Sequence, residues 1–356
     1  ARVTVTHLKL KEFCRTMNFD QPPRKIIHYP IPGDPLGGSL YIYGNANAKN
    51  IALMSAGFPD SQKPFIPLGS RLAKETDTLV GIACFPGFDN TEKKPWKEHK
   101  QFTRDGYNFD EVVACFREAA KVLREESTCA TKAKFTGIFH DWAASVGSMW
   151  ANRAIEDGSE NAPDELVYFD VVSNPHPLTR DMPPADEKDS IRQVVINKYY
   201  TYVFAFAFAA QCYVADVLAI AVFILGMIPL VVLKIGPTGK IDEDSMKLVG
   251  ESNQPSISHM IYMSYPYFHL YIMQRGVLDD TCTLPQDLSK VPVLYMYGTE
   301  KAGKFHTEQS IKVLQRETDE KTSKSMAVAV DGAGHYLYLQ KPDKCFDCMV
   351  KFMKED

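Results

Sequence analysis

Asp141 stands where a β-type run, Phe135-Thr136-Gly137-Ile138, gives way to a helical pattern over 145–155. A strand that turns sharply into a helix lifts one side chain above the sheet edge, with the next backbone N–H beside it. A carboxylate in that position is a nucleophile toward carbon, and the product is an ester. A late imidazole, His335, sits in Asp331-Gly332-Ala333-Gly334-His335, behind a predicted strand over 325–330. An imidazole there has the chemistry to take a proton from water. A third set of interest is the early turn Gly57-Phe58-Pro59-Asp60-Ser61, which follows the short apolar run 51–54.

Behind these groups, strands alternate with helices. Strands are predicted at 25–29, 39–43, 51–54, 78–83, 135–138, 166–172, 291–298 and 325–330, and helices at 67–75, 109–126, 145–155 and 307–316, followed by a C-terminal helix. The 109–126 segment is amphipathic: Val112, Val113, Phe116, Ala119, Ala120 and Leu123 share one face. This alternation predicts an α/β fold, a mostly parallel sheet with helices on both faces. The alternation breaks after residue 176. The chain therefore divides into an N-terminal core segment (1–176), a helical and strongly hydrophobic cap (177–288), and a C-terminal core segment (289–356).

Within that insertion, Asp216 is the only charged residue from Tyr202 to Leu233. One reading is a buried helical pair over a pocket. The other is a hairpin in or on a membrane, because a helix apolar on every side is unusual in a soluble cap.

Composition narrows the rest. Forty Lys and Arg against 44 Asp and Glu give a net charge of −4, with no basic excess for nucleic acid. The eight cysteines are scattered, and several lie in apolar surroundings, which suits a reducing compartment. Cys345 and Cys348 have CxxC spacing but no second pair to complete a metal site, and they read as helix residues. No signal-peptide pattern opens the sequence.

The order of Gly57-Phe58-Pro59-Asp60-Ser61, His140-Asp141-Trp142 and Gly334-His335, each at an expected strand end, resembles the α/β-hydrolase superfamily, and within it the epoxide hydrolase and haloalkane dehalogenase branch. The resemblance runs over about residues 25–350 and is weakest in the insertion. It implies the α/β-hydrolase fold with a cap, Asp141 as nucleophile, His335 as the base for water, and no cofactor or metal. The N–H groups of Phe58 and Trp142 are the implied oxyanion donors, with Pro59 and His140 beside them in the substrate-binding surroundings. For the carboxylate that orients His335, the usual superfamily slot holds Lys301, which leaves Asp170 as the preferred candidate and Glu300 as the alternative.

Epoxide opening needs an acid, which this family takes from cap tyrosines. The candidates are Tyr199 or Tyr200, and Tyr265 or Tyr267, with Tyr199 and Tyr265 standing first in each pair. None of Trp96, Trp142 and Trp150 lies in the insertion, where dehalogenases commonly place a halide-binding tryptophan, and this favours epoxide chemistry. An esterase is disfavoured, because Ser145 and Ser148 lie too far into the helix. Two residues depart from the family pattern: Ala56 replaces a histidine, and Phe139 replaces a glycine at the elbow. They support the alternative of a catalytically weak or inactive structural subunit of a membrane complex, with protein partners. The expected substrate of an active enzyme is apolar or lipid-derived, and the expected location is a membrane, a mitochondrial one being a candidate.

Overall fold

The computed structural model describes residues 18–31, 34–89, 105–129, 133–176, 191–232, 256–273, 282–300 and 305–355. Eight strands form one sheet: β1 (Lys25–Ile31), β2 (Asp34–Tyr43), β3 (Asn50–Ser55), β4 (Thr78–Ala83), β5 (Lys134–His140), β6 (Glu165–Phe169), β7 (Val293–Gly298) and β8 (Met326–Val330). Their spatial order is β1-β2-β4-β3-β5-β6-β7-β8. β2 runs antiparallel to both of its neighbours, and the pairs from β4 to β8 are parallel. The order of strands reverses beside β3, so the carboxyl ends of β3 and β5 flank the switch point where open α/β sheets take ligands.

Alternation along each strand feeds two cores. Leu53, Phe135, Phe139 and Tyr168 face one layer, which contains α2 (Phe109–Glu126) and α3 (Trp142–Glu156). Ala52, Met54, Ile138 and Val167 face the other, which contains α1 (Ile66–Glu75) and the C-terminal helix. This is the period-2 exchange of faces that a sheet covered on both sides requires. α2 starts where Asn108 accepts from the Glu111 N–H and the Glu111 carboxylate accepts from the Asn108 N–H, a reciprocal cap.

The insertion supplies α4 (Ile191–Tyr213), α5 (Asp216–Val232), α6 (Ile257–Tyr262) and α7 (Tyr265–Phe268). α4 and α5 cross closely: a Cβ on Gly226 would stand 2.6 Å from a Val203 methyl. Inward residues Phe204, Phe208 and Phe223 join the sheet-side core, whereas Phe206, Val217, Leu225 and Val232 are 56%, 80%, 66% and 71% exposed. Among the described residues no helix is long and apolar enough to cross a membrane. The 17 residues of α5 rise about 25 Å, short of a hydrocarbon core of about 30 Å.

Among the described residues, the remaining α-helices are α8 (Glu308–Glu320), α9 (Leu337–Gln340) and α10 (Pro342–Lys354). On α10, Cys345 is buried with its thiol directed to the Leu337 carbonyl at 3.5 Å, and both Cys345 and Cys348 are free thiols.

Candidate active site

Asp141 joins β5 to α3 with φ 55° and ψ −133°, a conformation that L residues avoid. The turn holds because both sides of it are packed. On one side Phe139 stacks on Phe116 at 5.6 Å and meets Trp150 edge-on at 6.1 Å. Its ring lies over Gly147 of α3, where a Cβ would be 2.5 Å from the ring. The bulk missing at position 147 is thus the bulk present at 139, and the large residue enters the core without disturbing the elbow.

On the ligand side, Oδ1 of Asp141 accepts from the Phe58 N–H at 2.8 Å. Phe58 follows Gly57, and a Cβ at Gly57 would collide with both the Trp142 nitrogen and Asp141 Oδ1. The Trp142 N–H belongs to the first residue of α3, where helical geometry provides no internal acceptor. The Gly57 position thus borders both the Trp142 nitrogen and the carboxylate oxygen that the Phe58 N–H holds. The Asp141 side chain is 16% exposed.

His335 follows β8. Its Nδ1 donates to Oδ2 of Asp170 at 2.6 Å, because a carboxylate only accepts, and its Nε2 faces Oδ2 of Asp141 at 3.4 Å. Burial pulls the imidazole pKa down, but hydrogen bonds to Asp141 and Asp170 and their charges outweigh it and push the value up to about 9. Asp170 is one residue past β6 with φ 64°. Three bonds hold it there: its N–H donates to the Met296 carbonyl at 2.7 Å, the Gly298 N–H donates to its Oδ1 at 3.2 Å, and the Tyr295 hydroxyl donates to its carbonyl at 3.1 Å.

The structure brings Asp141, His335, Asp170, Phe58 and Trp142 together. It places Glu300 elsewhere: this residue is exposed, its N–H donates to the Ala333 carbonyl at 2.8 Å, and the Nδ1 side of His335 is taken by Asp170. Lys301 lies outside the described residues. Tyr199 is 36% exposed on α4. Tyr265 is buried away from Asp141, its hydroxyl donating to the Pro86 carbonyl at 3.2 Å and its ring against Phe88 and Tyr107.

The neighbouring tyrosines are at the site instead. Tyr267 meets Trp142 edge-on at 5.1 Å and Phe58 at 5.2 Å. Tyr200 lies 6.1 Å from Tyr267, ring to ring. Burial raises both phenol pKa values well above the ordinary value, and the Asp141 charge raises them further, so both hydroxyls keep their protons at neutral pH. One residue on a helix turns the side chain by about 100°, which separates 199 from 200.

His140 also differs from the expectation. His140 is fully buried beneath the carboxylate array, on the opposite face of β5 from Phe139, with its Nε2 toward the His335 carbonyl at 3.1 Å. Pro59 follows a cis peptide bond from Phe58, within the turn that presents the Phe58 N–H. Tyr295 and Gly298 carry no local mark of a role in holding Asp170.

No protein-family model and no curated protein sequence matches this chain. Solved structures do. An epoxide hydrolase of Bacillus megaterium with an inhibitor bound superposes with a TM-score of 0.55 at 16% identity, covering 92% of this chain and 100% of that one. An epoxide hydrolase of Vigna radiata gives 0.55 at 14% identity, with 93% and 97% covered. A haloalkane dehalogenase loop variant from Bradyrhizobium elkanii gives 0.54 at 13%, with 92% and 95% covered. These chains share one architecture, and the present protein has it too: its fold is the α/β-hydrolase fold.

Proposed function

We propose that the protein is an epoxide-hydrolase-like enzyme that opens an apolar epoxide through an ester on Asp141. The observation that carries this reading is the array of Asp141, His335 and Asp170: His335 is hydrogen-bonded to Asp170, its Nε2 stands 3.4 Å from Asp141 Oδ2, and the Phe58 N–H is already on Asp141 Oδ1. In the first step Oδ2 of Asp141 attacks an epoxide carbon, the carbon–oxygen bond breaks, and the oxide takes a proton from Tyr267 or Tyr200. In the second, His335 takes a proton from water, and the hydroxide attacks Cγ of the ester. The tetrahedral oxyanion then lies at Oδ1 between the N–H groups of Phe58 and Trp142. Its collapse releases the diol and restores the carboxylate, and the proton on His335 returns to the tyrosinate through solvent.

The charges fit this order. The Asp141 carboxylate is one of the groups that raise the His335 pKa. Ester formation removes that charge, so the His335 pKa falls and the ring gives up its proton to solvent, free to serve as the base when one is needed. The aromatic surroundings of Asp141, formed by Phe58, Trp142, Tyr200, Phe204 and Tyr267, suit an apolar substrate such as a lipid-derived epoxide. The exposed apolar side chains of α4 and α5 suit a protein lying on a membrane, with the substrate dissolved in it. The same face equally suits an inactive subunit of a membrane complex, in a reducing compartment.

The deciding experiment is to treat wild type and His335→Gln with styrene oxide and with a long-chain alkyl epoxide, then measure intact mass and map the peptide. An ester on Asp141 that persists in His335→Gln and turns over in wild type supports the enzyme. No ester with either epoxide, in either protein, leaves the subunit reading.

A further inference from the structure

We infer that His140 is a positioning residue that holds the backbone of His335, so that its imidazole meets the water-activating geometry; this rests on the proposed ester mechanism. His140 ends β5, and its side chain leaves the sheet on the face opposite Phe139. Its ring lies 4.4 Å from the His335 ring, 5.2 Å from Tyr336 and 5.0 Å from Tyr338. The His335 carbonyl accepts only, so Nε2 of His140 carries the proton in the 3.1 Å contact. That assigns the tautomer and leaves Nδ1 facing Oδ2 of Asp60 at 3.9 Å, too long for a hydrogen bond.

This contact joins three segments that each deliver one component of the reaction. The Asp60 N–H donates to the Gly57 carbonyl at 2.8 Å, closing the turn that presents Phe58. The Tyr336 hydroxyl donates to Oδ1 of Asp60 at 3.3 Å, tying that turn to the loop of His335. His140 ties the same loop to the elbow of Asp141. A chain of contacts therefore runs from His140 to His335, on to Tyr336 and from Tyr336 to Asp60, underneath the reacting groups. The pivot is the His335 carbonyl: a tilt of that peptide swings Nε2 relative to Asp141, and misplacements of about 1 Å cost on the order of 10²-fold in rate.

The ionisable groups facing His140 are Asp60, Asp141, Asp170, His335, Tyr336 and Tyr338. Burial, and then the charge of His335, lower the His140 pKa to about 3, so the ring stays neutral and works as a fixed donor. It touches neither substrate nor reacting atoms, which distinguishes it from His335.

The test compares wild type, His140→Leu, His140→Gln and Tyr336→Phe in single turnover with styrene oxide, following formation and loss of the Asp141 ester by quenched-flow mass spectrometry. In His140→Leu we expect the ester to form within a few-fold of the wild-type rate and to hydrolyse about 10²-fold more slowly, so that it accumulates. Gln restores an N–H donor, and we expect hydrolysis to recover to within about tenfold of wild type. Tyr336→Phe removes the Asp60 link without touching His140, and is expected to slow the same step several-fold.

The positioning claim also has a readout that needs no turnover: the low-field proton resonance of His335 Nδ1, bonded to Asp170. It is expected in wild type and His140→Gln, and displaced or broadened in His140→Leu. Unchanged hydrolysis and an unchanged resonance in His140→Leu overturn the inference, as does an equal loss of both steps, or a Gln variant as slow as Leu. A His335→Gln protein that forms no ester overturns the ester mechanism instead, and the resonance then decides the positioning claim by itself.

Discussion

The Nδ1–H of His335 donates to Oδ2 of Asp170 at 2.6 Å, although β7 stands between the strands that carry the two residues. The bond passes over the end of β7, where the Gly298 N–H holds the other carboxylate oxygen. The orientation of the imidazole therefore depends on three strand ends in register. Replacing Asp170 by Asn keeps the shape and loses the charge that favours the imidazolium. We expect turnover to fall by about 10³–10⁴-fold, with the ester persisting on Asp141. Glu300→Gln should change turnover less than twofold in the same steady-state assay. Equal losses would move the acid to Glu300.

The tyrosines give a sharp contrast. Tyr267→Phe removes a proton donor beside Asp141, and ester formation is expected to slow by about 10²-fold or more. Tyr200→Phe should act on the same step to a lesser or similar degree. Tyr265→Phe loses a hydrogen bond to Pro86, worth about 1 kcal/mol of stability, and should leave the ester step unchanged. Pre-steady-state ester formation, with urea unfolding beside it, separates these outcomes.

Phe139 and Gly147 fill one space. Gly147→Ala is expected to destabilise the fold by about 1–3 kcal/mol through overpacking, despite the better helix propensity of Ala. Phe139→Ala should cost about 3–5 kcal/mol through the cavity it leaves. In the double variant the added methyl enters that cavity, so the combined loss should be at least about 1 kcal/mol less than the sum. Additive losses in urea unfolding would mean that the two residues do not share the space.

Two of the buried histidines, His335 and His140, make stability depend on pH with opposite signs. His335 holds its proton more tightly in the folded chain, at about 9, than in the unfolded chain near 6.5. Its contribution is complete below about pH 6.5 and is lost as pH rises toward 9. His140 does the reverse, with a folded value of about 3. The unfolded chain takes up a proton on it below about pH 6.5 that the folded chain refuses, and stability falls as pH falls toward 3. Tm measured against pH should decline less below pH 6.5 in His140→Gln, and less between pH 6.5 and 9 in His335→Gln, than in wild type. Parallel curves would contradict both assignments.

Membrane association is tested by flotation with neutral liposomes. Phe206, Val217, Leu225 and Val232 project from the cap, and each apolar side chain of this size gains about 1.5–3 kcal/mol when buried. Changing all four to Ser should lower the bound fraction by at least about tenfold while the Tm stays close to wild type. A wild-type chain that remains in the aqueous layer excludes the bilayer as the partner of this face.

Much of this protein is legible in order along the chain, because its signals are local. Apolar runs of strand length, the amphipathic face of 109–126, and an acid at a strand-to-helix turn all follow from spacings shorter than one element. Asp141, His335 and the turn at Phe58 stand at ends of strands, and a parallel sheet necessarily brings such ends to one edge. Residues selected across longer distances are not legible. Tyr200 and Tyr267 rather than Tyr199 and Tyr265 is a matter of helix phase against a surface supplied by other segments. Asp170 rather than Glu300 depends on which loop bends back over β7. The bulk of Phe139 looks like an obstacle in the sequence, because the glycine that receives it is a helix neighbour eight positions later. The role of His140 is hidden for the same reason: its partner is the backbone of a residue 195 positions away. Sequence alone determined the elements and the types of side chain set at the strand ends, since these depend on local pattern and intrinsic chemistry. Tertiary structure decided which side chains face one another, since that depends on how separate segments pack.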